Sequence, residues 1–229
     1  MPAETSTNIE VVPATPDRWD DVVKVLGGNG DRGCWCQAPR GFASSWNAKR
    51  GVRRDLLRSQ LEEDPPAGMV AYIDGEVAGW CGFGVRPRLP RLERSRTIPK
   101  VDDKPVWAIL CFNIRVGFRR RGVASALLDG VIDFARRSGA PGVEAYPIDP
   151  EGGRVDTGFG YVGLTPWFEQ RGFRRVVETS ARSDRRPRIL MRLDLDAARA
   201  TKRRRRASAA ASESGTRAGR RTPRSSCSP

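Results

Sequence analysis

The 229-residue sequence predicts a mixed α/β domain on one main sheet, followed by a disordered basic tail. Two observations carry this. Strand-like apolar runs and stretches of helical periodicity alternate in the order β-α-α-β-β-β-α-β-α-β-β, with turn dipeptides and prolines between them. From Ala197 onward the chain is built of Arg, Ser, Ala, Gly and Thr, with no aromatic or branched aliphatic residue to bury. The predicted organisation is an N-terminal extension (1–8), a folded domain (9–196) and a tail (197–229).

The first element is "IEVVPA" (Ile9 to Ala14), which reads as an opening strand. Pro16 sits where a helix starts, and Trp19, Val22, Val23 and Leu26 share one face before Gly27 stops it. A loop with "GCWCQAPRGF" leads to a second helix around Asn47 to Glu63, closed by Pro65-Pro66. "MVAYIDGEVAGWCGFGV" is a hairpin turned at Asp74-Gly75, a dipeptide that tolerates positive φ. A basic loop from Arg86 to Lys100 precedes "KPVWAILCFNIRV", an apolar run that reads as a central strand. Beyond Gly122, the rows Val123, Leu127, Val131, Phe134 and Ala124, Leu128, Ile132, Ala135 form one helix face. "GVEAYPI" (Gly142 to Ile148) is the next strand. A Gly-rich segment (Glu151 to Gly163) then leads to a short helix near Thr165 to Arg171, and "GFRRVVE" and "RPRILMRLDL" close the sheet.

Composition narrows the chemistry. Net charge is +14 and the sequence pI about 10.7, which suits an anionic partner. Ten Lys/Arg and one Glu lie in the tail, so +9 of that charge is there and the folded part is mildly basic. Histidine is absent, which excludes imidazole bases and His-containing metal sites. Five cysteines without small-scaffold spacing read as reduced thiols. No apolar run approaches the roughly 20 residues that span a bilayer, and "MPAETSTNIE" lacks a secretory pattern, so the expected location is cytoplasmic. "CWC" at Cys34 to Cys36 is two ligands short of a zinc site unless Cys81 and Cys111 join it; no metal is expected, and core packing is the plainer reading. Trp80, Trp107 and Trp167 likewise read as core.

Two basic runs need separate explanations. "KRRRR" (Lys202 to Arg206) lies in the tail, where it either contacts nucleic acid nonspecifically or only keeps the chain solvated. "FRRRGVA" (Phe118 to Ala124) instead joins the buried strand to an amphipathic helix. A helix start exposes unpaired N–H groups and partial positive charge, so it accepts anions. Gly122 and Ala124 leave room for a phosphate. The bland alternative is a basic helix start facing solvent.

Arg-x-x-Gly-x-Ala at Arg119 to Ala124, between a strand and a helix, resembles the acyl-CoA pyrophosphate loop of the GNAT N-acetyltransferases. "PWFEQRGFRRV" (Pro166 to Val176) is similar to the family's helix–Gly-Phe–strand segment, and the likeness covers about Ile9 to Asp196. It implies a mainly antiparallel central sheet flanked by helices and splayed at the cofactor strand. It implies that Phe112, Asn113 and Ile114 line the pantetheine arm, with the Ile114 N–H meeting the thioester oxygen. Arg119, Arg120, Arg121, Gly122, Val123, Ala124 and Ser125 correspond to the phosphate loop. The activity implied is transfer of an acetyl group from acetyl-CoA to a primary amine by direct attack on the thioester, in a monomer or homodimer. The acceptor is open among small amines, peptide N-termini, lysines, aminoglycosides and amino acids.

The sequence also departs from the pattern. Where many members carry a proton-donating tyrosine stands Phe168, and where histone-modifying members carry a glutamate base stands Ala108. Tyr146 becomes the first candidate for the acid, with a tyrosine closing the sheet end as its structural alternative. Asp149, Glu144 and Tyr161 are further candidates for proton transfer. These departures also admit a second reading, a catalytically silent acyl-CoA-binding domain with the tail as its working part.

Overall fold

A computed structural model describes residues 8–28, 33–42, 51–156 and 158–195. The expected tail, and all of the expected N-terminal extension except Asn8, lie outside the described residues. The element order is the expected one with a single addition. Strand β1 (Ile9–Pro13) leads through a turn at Pro16–Arg18 into helix α1 (Trp19–Leu26). Asp20 and Asp21 lie in its first turn and Lys24 in its last, as the helix dipole favours. Helix α2 (Val52–Gln60) is shorter than Asn47 to Glu63, and residues 43–50 lie outside the described residues. It stops before the proline pair because Leu61 and Glu62 close tight turns onto Arg58 and Ser59.

Strands β2 (Gly68–Ile73) and β3 (Glu76–Val85) form the hairpin, with φ of 51° at Asp74 and 82° at Gly75. The segment expected as a plain loop from Arg86 to Lys100 carries helix α3 (Pro90–Glu93) and buries Arg86. Leu89 and Leu92 fold it down, together with Ile98, onto Ala108 and Leu110 of the sheet. Strand β4 (Trp107–Ile114) and helix α4 (Val123–Arg137) come next. Helix α4 buries Val123, Leu127, Leu128, Val131, Ile132 and Ala135, close to the predicted face. Each large aliphatic among them contributes about 1.5–3 kcal/mol by burial. Strand β5 (Gly142–Ala145) ends three residues before the expected Ile148. Helix α5 (Thr165–Glu169) and strands β6 (Arg174–Ser183) and β7 (Arg186–Asp194) complete the domain.

The seven strands run in the order β1-β2-β3-β4-β5-β7-β6. Every adjacent pair is antiparallel except β4 and β5. One sheet face packs against α4 and α5, with Phe83, Trp107, Phe112, Phe168 and Phe173 in its core. The other face is covered by α1 and α2 around Trp80 and by α3 around Leu110.

Strand β4 is irregular in two ways. Gly82 pairs with Cys111 and Phe83 with Ile109, so Leu110 is an extra residue in the strand. Ile109 and Phe112 therefore face the α4 side, while Leu110 and Cys111 both face the other. Second, β4 pairs with β5 only at Trp107↔Val143 and Ala108↔Glu144. Beyond those pairs the two strands part.

Candidate active site

The opening between β4 and β5 is the first component of the site. β4 runs six residues past its last pair with β5, from Ile109 to Ile114. Across the opening the chain leaves β5 at Ala145, passes Tyr146 and Pro147, and bridges at Ile148 to Arg188 of β7. Proline has no N–H to continue a ladder, which helps explain why β5 stops short of Ile148. The Arg115 N–H donates to the Ala78 carbonyl on β3. Alternation along an extended chain turns the preceding N–H, that of Ile114, to the opposite edge, toward the opening. An extended ligand arm would find an unpaired strand edge there.

The second component adjoins the end of β4. Gly122 caps α4 with φ 81°, a left-handed conformation that favours glycine. The first main-chain bond of the helix runs from Ala126 N–H to Gly122 O, so the N–H groups of Val123, Ala124 and Ser125 have no helical acceptor. No side chain caps them. Arg119, Arg120 and Arg121 are exposed and form no ion pair among the described residues. Arg119 Nε reaches only the Ile114 carbonyl, at 3.4 Å, while the Arg115 and Arg121 guanidiniums lie 5.2 and 5.5 Å from the Phe118 ring centre. Three arginines without an ion-pair partner among the described residues, together with the partial positive charge of the helix start, surround a glycine. Positive charge of this kind at an open helix start favours an anion.

The third component is a cavity of about 830 Å³ on the face opposite α4. Cys34, Trp35 and Cys36 form one wall, Arg91 to Ile98 another, and β4 from Leu110 to Asn113 the floor; Tyr146, Tyr161 and Arg188 close it. The Cys34–Cys36 wall is pinned from behind. Buried Gln37 exchanges amide hydrogen bonds with Gln60 of α2, and Arg40 donates to the Ala67 and Phe83 carbonyls. Cys36 Sγ lies 2.7 Å from Cys111 Sγ and accepts from Trp80 Nε1 at 3.1 Å. The hydrogen bond from Cys111 lowers the Cys36 pKa despite burial, with Trp80 and Arg40 helping, and raises that of Cys111 well above the ordinary thiol value. Trp80 and Trp107 are core, as expected, and Trp167 is half-buried against Phe112 with its indole N–H on Ser125 Oγ. Among the described residues no cluster of His, Cys, Asp or Glu is placed to hold a metal ion, and no helix is long and apolar enough to cross a membrane.

The candidate proton-transfer residues part company here. Tyr146 is buried, and its hydroxyl donates to Glu144 Oε2 at 2.9 Å while accepting from Arg86 Nη1 at 2.8 Å. Burial, and then the Glu144 charge, hold its pKa well above the ordinary tyrosine value. Glu144 is fully buried; Oε2 also accepts from Arg86 Nη1 at 2.8 Å, and Oε1 accepts from Arg192 Nε at 3.1 Å and from Arg192 Nη2. Both carboxylate oxygens are occupied. Asp149 lies outside the cavity wall and is ion-paired to Arg175, which lowers its pKa against the opposing effect of burial. Tyr161 alone of the four is both exposed and on the cavity wall. Phe168 is fully buried between Phe173, Trp167 and Phe112. Sequence reasoning missed Arg86, Arg188 and Arg192. One signal was present: residues two or four apart on a strand share a face, so Glu144 with Tyr146, and Arg188 with Arg192, mark one polar strip inside an apolar sheet.

A mostly antiparallel sheet opened between its two parallel strands, with an arginine-flanked helix start beyond the longer one, is the arrangement that the resemblance to the GNAT family implies. The sequence from residue 35 to residue 150 matches the family model described as Acetyltransferase (GNAT) family. That span is half of the chain, and the chain belongs to this family. A solved structure described as an acetyltransferase agrees in fold, superposing with a TM-score of 0.50 at 16% identity and covering 81% of this chain and 99% of that one. An N-acetyltransferase from Staphylococcus aureus Mu50 gives a lower TM-score of 0.48 at 15% identity, covering 82% and 99%. A search of curated proteins by sequence found no match.

Proposed function

We propose that this protein transfers an acetyl group from acetyl-CoA to a primary amine by direct attack on the thioester. The observation that carries the reading is the parting of β4 from β5 after Ala108 and Glu144, with Gly122 and its arginines at the end of the freed edge. The residues fit such a donor. The freed edge from Phe112 through Asn113 to Ile114 takes the pantetheine arm as an added strand would be taken. The N–H groups of Val123, Ala124 and Ser125, with Arg119, Arg120 and Arg121, take the pyrophosphate. Bound there, acetyl-CoA supplies an activated acyl carbon and a thiolate leaving group.

The chain's own residues do the rest. The Ile114 N–H is positioned to stabilise negative charge on the thioester oxygen, a role that donors fixed in advance perform best. The Leu110 and Cys111 side chains give the cavity floor an apolar lining. Tyr161 is the assigned proton donor, because it reaches the cavity with a hydroxyl that has no carboxylate partner among the described residues. Tyr146 and Glu144 act as positioning residues that tie the end of β5 to Arg86 and Arg192. The exposed, unpaired arginines at the loop give no support to a catalytically silent domain. The test is release of free thiol from acetyl-CoA by purified protein across a panel of primary amines, with mass spectrometry of the acceptor. A mass gain of one acetyl group on an amine supports the reading; thiol release without acetylated acceptor contradicts it.

A further inference from the structure

Three features stand apart from the donor site: the Cys36–Cys111 thiol pair, the buried Glu144 network and the charge lining the cavity. The last says most about function. Among the described residues that line the cavity none is Asp or Glu, and the two charged ones are Arg91 and Arg188. Arg188 stands on β7, one chain beyond the far side of the opening, where it bridges to Ile148. Its Nε donates to the Tyr146 carbonyl at 2.8 Å, which fixes the guanidinium plane. Its two Nη groups have no carboxylate partner among the described residues, although burial disfavours the cation and lowers its pKa. The deeply placed arginines on the same strip of sheet are compensated, Arg86 by Glu144 and Arg192 by Glu144 and Asp102, while Arg40, behind the cavity wall, is held by the Ala67 and Phe83 carbonyls. A half-buried cation left without an anion in a cavity is what a carboxylate-binding site looks like before its ligand arrives. Arg91 is exposed on α3, lines the same cavity and forms no ion pair among the described residues.

We propose that the acceptor is a small amine bearing a carboxylate, held by the Nη fork of Arg188 with Arg91 at the entrance. This rests on the acetyl-transfer reading and narrows its acceptor to amino-acid-like compounds. Polyamines, aminoglycosides and basic peptides are disfavoured, because their extra cations would meet arginines and no carboxylate. A planar fork with one edge already fixed suits bidentate capture of a planar carboxylate.

The experiment measures kcat/KM for the proteinogenic amino acids, each paired with its carboxamide, and for spermidine, an aminoglycoside and phosphoethanolamine. Acetyl-CoA binding is measured separately by calorimetry. The expected result is that at least one amino acid exceeds its own carboxamide about 10- to 100-fold, the range for a charge-assisted hydrogen-bonded pair. Arg188→Gln should raise KM for that amino acid by a similar factor, leave kcat nearly unchanged and shrink the acid-to-amide ratio. Arg91→Gln, an exposed change that does not threaten folding, should shrink it more modestly. Preference for spermidine or the aminoglycoside, equal use of acid and amide, or turnover of phosphoethanolamine alone would overturn the proposal. So would an Arg188→Gln enzyme whose acetyl-CoA affinity falls while acceptor KM holds, since that assigns the arginine to the donor. Acetyl-CoA binding with no amino acid acetylated overturns this inference alone; no acetyl-CoA binding overturns the reading beneath it.

Discussion

Replacing Glu144 with alanine should be among the most damaging single changes in the domain. The side chain is fully buried and accepts from Arg86, Tyr146 and twice from Arg192, whose own side chains are 2% and 6% exposed for the two arginines. Glu144→Ala would leave two buried guanidiniums facing a void. Breaking a buried pair in this way costs about 3–5 kcal/mol. The upper value is tempered because Arg192 keeps Asp102 and Arg86 keeps Glu93 at 3.4 Å. For a domain of this size each kcal/mol lowers Tm by about 2–4 °C, so the fall should be roughly 6–20 °C. Urea denaturation followed by tryptophan fluorescence measures it, with an unchanged m-value as the check that the unfolding transition is the same one. The double change Glu144→Leu with Arg86→Met should recover part of the loss, since it removes one of the two stranded charges and leaves Arg192 its Asp102 partner. A loss below about 1 kcal/mol for Glu144→Ala, the range of a solvated surface pair, would refute the claim that this network is dry and holds β5 in place.

The same geometry sets other outcomes. Tyr161→Phe should lower kcat about 10- to 100-fold with acetyl-CoA affinity unchanged, within or just below the usual span for general acid–base groups. Tyr146→Phe should instead cost about 1–3 kcal/mol of stability with little change in kcat, because it removes a buried hydroxyl between Arg86 and Glu144; the reverse pattern would return the acid role to Tyr146. Stability should be level from neutral pH to about 5 and fall below about pH 4. Hydrogen bonding from Arg192 lowers the Asp102 pKa, and the Arg175 pair lowers that of Asp149 against burial. Groups depressed in the folded state contribute above their unfolded pKa of about 3.9, and that contribution is lost as pH falls through the folded value. Urea midpoints from pH 7 to 3 check this, and a rise in stability on acidification would contradict it.

Much of this fold was legible because its signals are local. Leu127, Leu128, Val131 and Ile132 declare α4 by spacing alone, and Asp74-Gly75 declares the hairpin by the backbone angles those two residues accept. The strand–glycine–helix junction at Gly122 was legible for the same reason, since its parts are contiguous. What the sequence concealed depends on partners far along the chain. Arg86 reads as one more cation in a basic loop until Glu144, 58 residues later, is placed against it. The folded-down segment with α3 was hidden likewise, since Leu89 and Leu92 show no long period and gain a surface only when Ala108 and Leu110 lie beneath them. Tyr146 was legible as a tyrosine near the end of its strand, but the direction of its hydroxyl is set by Glu144 and Arg86, not by that strand. The cavity's missing carboxylates could not be read at all before its walls, drawn from stretches scattered between Leu26 and Arg188, were assembled.

The most direct test of the account is acetyl-CoA binding at the Gly122 loop, measured by titration calorimetry on the wild type, Gly122→Glu and the double change Arg119→Glu with Arg121→Glu. The wild type should bind with a Kd on the order of micromolar, about −8 kcal/mol. Saturation at about 100 times Kd should then add about 2.7 kcal/mol of stability. Gly122→Glu places a bulky anion where the pyrophosphate belongs, and its φ of 81° adds backbone strain. The two arginines are exposed and form no ion pair among the described residues, so their reversal changes charge at the cost of one cation–ring contact, Arg121 over Phe118. Loss of binding by about 10-fold or more in both variants, with circular dichroism showing an intact fold, is the predicted result. Wild-type affinity retained in both would place the donor elsewhere and contradict the account.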